Sequence, residues 1–203
     1  WQVIGGERVE RTAAYVVDDG SVRIDVAEYD AGYALIIDPE LVYSSYLGGS
    51  SYDSGSALVS DGAGGVWVTG RTDSTDFPVL NAYQSSLRVE YDAFISHFSS
   101  SGTLLSSTYL GGEEDEYGIA LAGDGVGGVW VAGYTGSADF PVLNAYQSSL
   151  RGWRDAFVSH FSSTGALILS TYLGGESSDS GDALAGDGGG GVWVAGTTHS
   201  TDF

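Results

Sequence analysis

The chain has 203 residues, 42% of them hydrophobic, and no cysteine, which excludes a disulfide framework and any thiolate metal site. Its 27 acidic and 7 basic residues, the latter all arginine, give a formal charge of −20. That charge repels phosphate backbones and anionic lipid, so nucleic acid and membrane surfaces are poor partners and cations better ones.

No apolar run approaches the roughly 20 residues that cross a bilayer, so no membrane insertion is expected of this segment. The chain uses 32 glycines, 13 tyrosines, 7 phenylalanines and 5 tryptophans against 3 prolines. Such usage favours many short strands joined by tight turns. Residues 1–40 do not repeat. Strands are predicted at 13–17, 21–28 and 33–37, split by Asp18-Asp19-Gly20 and Asp30-Ala31-Gly32. They read as the C-terminal part of a preceding β-rich domain.

From residue 41 to 203 the chain repeats. Tyr46-Leu47-Gly48-Gly49 returns 63 residues later at Tyr109 and again at Tyr172, and Trp67, Trp130 and Trp193 keep the same step. Residues 46–108 and 109–171 are identical at 42 of 63 positions, so one structural unit has been duplicated, with a partial third copy over 172–203. Within a unit, strands are predicted at 55–60, 66–70, 92–98 and 103–109. Turns fall at Asp61 to Gly65 and Ser99 to Gly102, where glycine and Asp accommodate φ > 0. The connection between the second and third strands is long, with room for a helical turn over 81–88. Four antiparallel strands per tandem unit predict an all-β fold of β-propeller blades. Residues 41–203 hold about 2.6 units and propellers close with about four to eight blades. The expectation is therefore an incomplete ring, an open arc that awaits the remaining blades of a longer chain and tends to associate.

Several motifs carry a resemblance: the Tyr-Leu-Gly-Gly ends, Asp61 to Trp67, Gly70, Ser74-Thr75-Asp76-Phe77-Pro78 and Asp92-Ala93-Phe94. At these spacings the chain resembles the bacterial and archaeal β-propeller repeat called SBBP over residues 41–203, with Tyr33 to Glu40 similar to the junction that often precedes such repeats. The resemblance implies a propeller fold and a secreted or cell-surface location, and no particular activity. One departure is His97 and His160, where the family usually has lysine.

The tryptophans of the second strand are expected to be buried between blades. Asp61, Asp124 and Asp187 are expected to cap their glycine turns. His97 and His160 lack the three or four converging ligands of a metal site and are expected to be structural or surface residues; His199 stands alone in a loop. Glu113, Glu114, Asp115 and Glu116 form an oxygen-rich loop that suits Ca²⁺, against the alternative of a solvated charge run. No nucleophile elbow, P-loop, dinucleotide fingerprint or zinc-protease helix is present, so no catalytic residue is assigned.

Comparison of the copies locates the variation. The first two units differ most at 50–54, at 71–75 and at 89–91 and their equivalents, and hardly at 61–65 and 99–102. In a four-stranded blade the variable loops share one face. They carry Tyr52, Tyr91, Tyr117, Tyr134, Trp153 and Arg154, a mix suited to a surface glycan or protein partner. The expected function is a non-enzymatic extracellular or cell-surface binding module. A purely structural surface repeat and a polysaccharide-active propeller enzyme are the alternatives.

Overall fold

A computed structural model describes residues 1–18, 21–36 and 44–203. The chain divides into two units, Trp1–Val42 and Tyr43–Phe203. The first holds two antiparallel hairpins, β1 (Gln2–Ile4) with β2 (Glu7–Val9) and β3 (Ala13–Asp18) with β4 (Ser21–Val26). The first hairpin escaped the sequence reading. Its two-residue turn is Gly5-Gly6, with φ of 63° and 88°, a pairing whose twist matches the strands it joins. Of the strand predicted at 33–37, the described residues form only a bridge from Leu35 to Gln2, and residue 37 lies outside them. Gln2 is fully buried because its side chain takes over strand-like bonding: Nε2 donates to the carbonyls of Asp30 and Tyr33, and Oε1 accepts from Asp30 N.

The second unit is a succession of antiparallel sheets at the 63-residue step. The first sheet is β5 (Asp53–Ser60), β6 (Val66–Thr72), β7 (Asp92–Phe98) and β8 (Leu104–Leu110), paired in that order. The second repeats it with β9 (Glu116–Gly123), β10 (Val129–Thr135), β11 (Asp155–Phe161) and β12 (Leu167–Leu173). The third has β13 (Asp179–Gly186) and β14 (Val192–Thr198). These are β-propeller blades, and they do not close a ring.

The blades stack through their first two strands. Gly118 of β9 lies against Thr69 and Gly70 of β6, and Gly181 of β13 against Ala132 and Gly133 of β10. Between the sheets a core forms from Trp67, Ile95, Leu110, Val129, Val131 and Phe157. A second cluster, Phe77, Phe94 and Tyr109, occupies the other face of the first sheet. Ile95 and Phe94 thus point to opposite faces, as the two-residue period of a strand requires.

The segment 81–88 is not a helical turn. It runs along the outer edge of β8, with bridges from Leu80 to Ser107 and Gln84 to Tyr109, and Asn81 adopts a left-handed φ of 50°. Residues 142–151 repeat this on β12, with Asn144 at 51°. An unpaired edge invites association with other strands, and this strap occupies it. A helix would have left those backbone groups bare.

Candidate functional site

The site is built on the edge of the blades where the long connections enter. Two devices fix that edge. The hydroxyl of Tyr109 donates to Ser74 O at 2.7 Å and accepts from Phe77 N at 3.1 Å. It thereby ties the end of one blade to the Ser-x-Asp-Phe-Pro loop. The Asp76 carboxylate accepts from Ser50 N at 2.7 Å, and Asp139 and Asp202 accept likewise from Glu113 N and Glu176 N. The motifs seen in the sequence are therefore the two ends of one set of hydrogen bonds.

On this frame the six predicted site residues come together. Tyr52 meets Tyr91 edge-on at 6.3 Å, Tyr91 meets Tyr117 at 6.1 Å, and Tyr117 stacks on Tyr134 at 4.7 Å. The guanidinium of Arg154 lies 4.9 Å from the Tyr134 ring and 5.6 Å from Trp153. The result is an unbroken path of rings and cations from the first blade across the second. The structure adds Arg71, which the sequence reading passed over. Its guanidinium sits over Tyr52, Tyr91 and Tyr117 at 5.3, 5.1 and 4.3 Å. The signal was available: Arg71 is one of only seven basic residues and occupies a position that differs between copies.

Positions 71 and 91 correspond by the repeat to 134 and 154. The first blade has Arg71 and Tyr91, and the second has Tyr134 and Arg154. The cation and its ring have changed places while the contact has stayed, at 5.1 and 4.9 Å. The 91/154 position is pinned from the next blade in both copies, since Glu116 N donates to Tyr91 O and Asp179 N to Arg154 O. A hydrogen bond from Arg71 holds the Tyr52 phenol below its ordinary pKa, whereas loss of solvent raises those of Tyr91 and Tyr134.

Two clefts flank the Trp153–Arg154 wall. One, of about 240 Å³, opens toward the third blade, and the other, of about 290 Å³, opens toward Glu114 and Asp115.

The acidic loop does not gather into a ligand set. Glu116 is fully buried, with Oε2 accepting from Gly112 N at 2.8 Å and Oε1 from the Thr135 hydroxyl, whereas Glu113 and Glu114 are exposed. Glu116 opens β9 and points inward, whereas Glu113 and Glu114 sit in the bend before the strand. Among the described residues no three Asp, Glu or His side chains converge to hold a metal ion. Glu116 instead faces Asp92, also fully buried, across Gly111, where both carboxylates crowd the position a Cβ would take. Burial pushes the carboxyls of Asp92 and Glu116 up to about 7, only partly offset by their donors.

On the opposite edge, Asp61 Oδ1 accepts from Ala63 N and Gly65 N, and its Oδ2 meets His97 Nε2 at 3.0 Å. The His97 ring stacks on Trp67 at 4.0 Å, and Trp67 Nε1 donates to Gly127 O in the next blade's turn. Asp124, His160, Trp130 and Gly190 repeat the chain of contacts. The histidines are thus structural, clamping each turn to its neighbour. Trp67 is buried, as expected, whereas Trp130 is only partly covered and Trp193 is 71% exposed. Trp67 and Trp130 each reach the blade that follows, whose turn accepts the indole N–H at Gly127 or Gly190.

Residues 42–78, which span the Leu-Gly-Gly end, β5, β6 and the Phe77-Pro78 loop, match the SBBP family model, described as a beta-propeller repeat. The 63-residue period carries that match to the later copies. This chain is an SBBP-type β-propeller repeat protein. A comparison with curated proteins finds no match. The SBBP match lies on the frame motifs, including the Asp76 and Phe77 anchors. Of the strip it takes in Tyr52 and Arg71, and the remaining members lie in the connections and copies beyond it.

Proposed function

We propose that these SBBP blades form a non-enzymatic extracellular or cell-surface module that binds a surface glycan along the ring-and-arginine strip. The observation that carries the reading is the exchanged pair. Independent drift at positions 71, 91, 134 and 154 has no reason to leave each blade with one arginine against one tyrosine. Retention of the contact under divergence points to selection for the strip as a surface. Flat rings beside hydrogen-bonding groups suit the faces of sugar rings. Asp73, Glu114 and Asp115 lie beside the strip, and the chain's charge opposes anionic ligands, so a neutral polysaccharide is favoured.

Affinity electrophoresis against a polysaccharide panel tests this. Tyr117→Ala and Arg71→Ala should each weaken retention about tenfold or more, as central interface residues do, while Ser100→Ala on the opposite edge should have no effect. Equal retention of all three variants, or loss only with Ser100→Ala, would remove the strip from consideration.

A further inference from the structure

The stacked tyrosine pair of the second blade has no counterpart in the third, and its loss makes a cavity. Ser178, Ser180 and Thr197 stand where the second blade has Asp115, Tyr117 and Tyr134. In the second blade the two tyrosine rings fill their space by stacking on each other at 4.7 Å. In the third blade hydroxyl-sized side chains leave that space open, and the cleft of about 240 Å³ lies there. One wall is Tyr134, Trp153 and Arg154, and the floor is Ser178, Ser180 and Thr197. Trp153 is 79% exposed beside this opening. A large ring left in water forgoes the stabilisation of burying it, of order 25 cal/mol per Å², so its position calls for something that covers it.

Asp179 supplies the polar half of the site. It lines the cleft and is only 3% exposed. Its Oδ2 accepts from Gly175 N at 2.9 Å and from the Ser200 hydroxyl at 2.8 Å. Its Oδ1 is buried, with the Thr198 hydroxyl as its neighbour. An ionised carboxylate accepts only, so it suits O–H groups and repels anions.

We propose that this cleft is a subsite for one neutral pyranose ring, stacked on Trp153 and hydrogen-bonded at its hydroxyls by Asp179 and the small polar side chains of β13 and β14. The proposal rests on the glycan reading of the strip and assigns it a subsite. The cleft falls below the roughly 300–1,000 Å³ of sites for larger ligands, which limits it to a single ring. His199, exposed at the rim, adds a further hydrogen-bonding ring.

The test titrates the full chain with a panel of neutral methyl pyranosides and follows the Trp153 indole N–H resonance, assigned with Trp153→Phe. The paired substitution Ser180→Tyr with Thr197→Tyr restores the second blade's rings and fills the cleft, leaving Tyr52, Tyr91, Tyr117 and Tyr134 in place. A saturable shift of Trp153 in the natural chain, weakened at least tenfold in the filled variant and by Asp179→Asn, is expected. A melting curve as cooperative as the natural chain's confirms that the filled variant folds, and Trp153→Phe tests the platform without filling the cleft. Polymer retention by the natural chain is followed in parallel: retention without a Trp153 shift fails the cleft alone, whereas loss of both fails the strip. No shift with any pyranoside, an unchanged shift in the filled variant, or a shift produced only by peptides would overturn the subsite.

Discussion

At the scale of single residues, the exchange of Arg71 and Tyr91 for Tyr134 and Arg154 is open to direct measurement. Cation–π contacts at exposed sites contribute about 0.5–1 kcal/mol. A double-mutant cycle on Arg154→Ala and Tyr134→Ala, read by urea unfolding, should give a coupling of that size. A coupling indistinguishable from zero would reduce the pair to proximity. The buried carboxyls of Asp92 and Glu116 give a second expectation. In an unfolded chain such groups ionise near pH 4, whereas burial keeps them protonated to about 7 in the fold. Between those values the folded chain holds protons that the unfolded chain has released. Their contribution to stability is therefore complete below about pH 4 and is lost as pH rises through about 7. Glu116→Gln should flatten the decline in urea midpoint between pH 5 and 8, and an unchanged slope would assign the decline to other groups. The sequence displayed the acidic run at 113–116, but it did not show that Glu116 turns inward, because the facing partner, Asp92, belongs to the preceding unit.

At the scale of the element, the strands were legible because they alternate and because glycine turns punctuate them. The bulges were not. β9 pairs with β10 out of step between Ala132 and Gly133, and β5 and β13 break register at the same place in their own sheets. At Gly133 the carbonyl of Tyr117 occupies the space a Cβ needs. Gly133→Ala should therefore destabilise by about 1–3 kcal/mol, as overpacking does, and displace Tyr117 from the strip. Normal stability together with normal ligand retention in that variant would contradict the packing. The tryptophan series offers a graded test. Trp67→Ala should cost about 3–5 kcal/mol, Trp130→Ala less, and Trp193→Ala within about 0.5 kcal/mol, as for other surface changes. Equal losses at all three positions would mean that Trp193 is covered in solution.

At the scale of the whole molecule, a charge of −20 acts on a chain of stacked blades. Self-repulsion of that charge opposes compaction, and salt screens it over about 10 Å at 0.1 M. The melting temperature should rise between about 10 mM and 150 mM ionic strength, and a flat response would indicate that the acids are locally compensated. The exposed faces work in the opposite sense. Leu58 on the first blade and Trp193 on the third are 72% and 71% exposed, so light scattering should show association that strengthens with salt.

The sequence by itself determined the blade. A period of 63, alternating apolar residues and paired glycines are local and repeating signals, and each copy restates them. It also determined which edge carries the variable aromatic residues, because copies in one chain can be compared directly. Only the tertiary structure decided what those residues form. Contacts such as Arg71 on Tyr117 or Trp67 on Gly127 join successive blades, across long separations that strand alternation and turn residues do not encode. The same holds for the strap at 81–88, whose conformation is set by the open edge of β8, and for the cleft at Ser180 and Thr197, which exists because two tyrosine rings of the preceding blade have no counterpart there. Local pattern specifies the repeat unit, and the packing of one unit on the next specifies the surface.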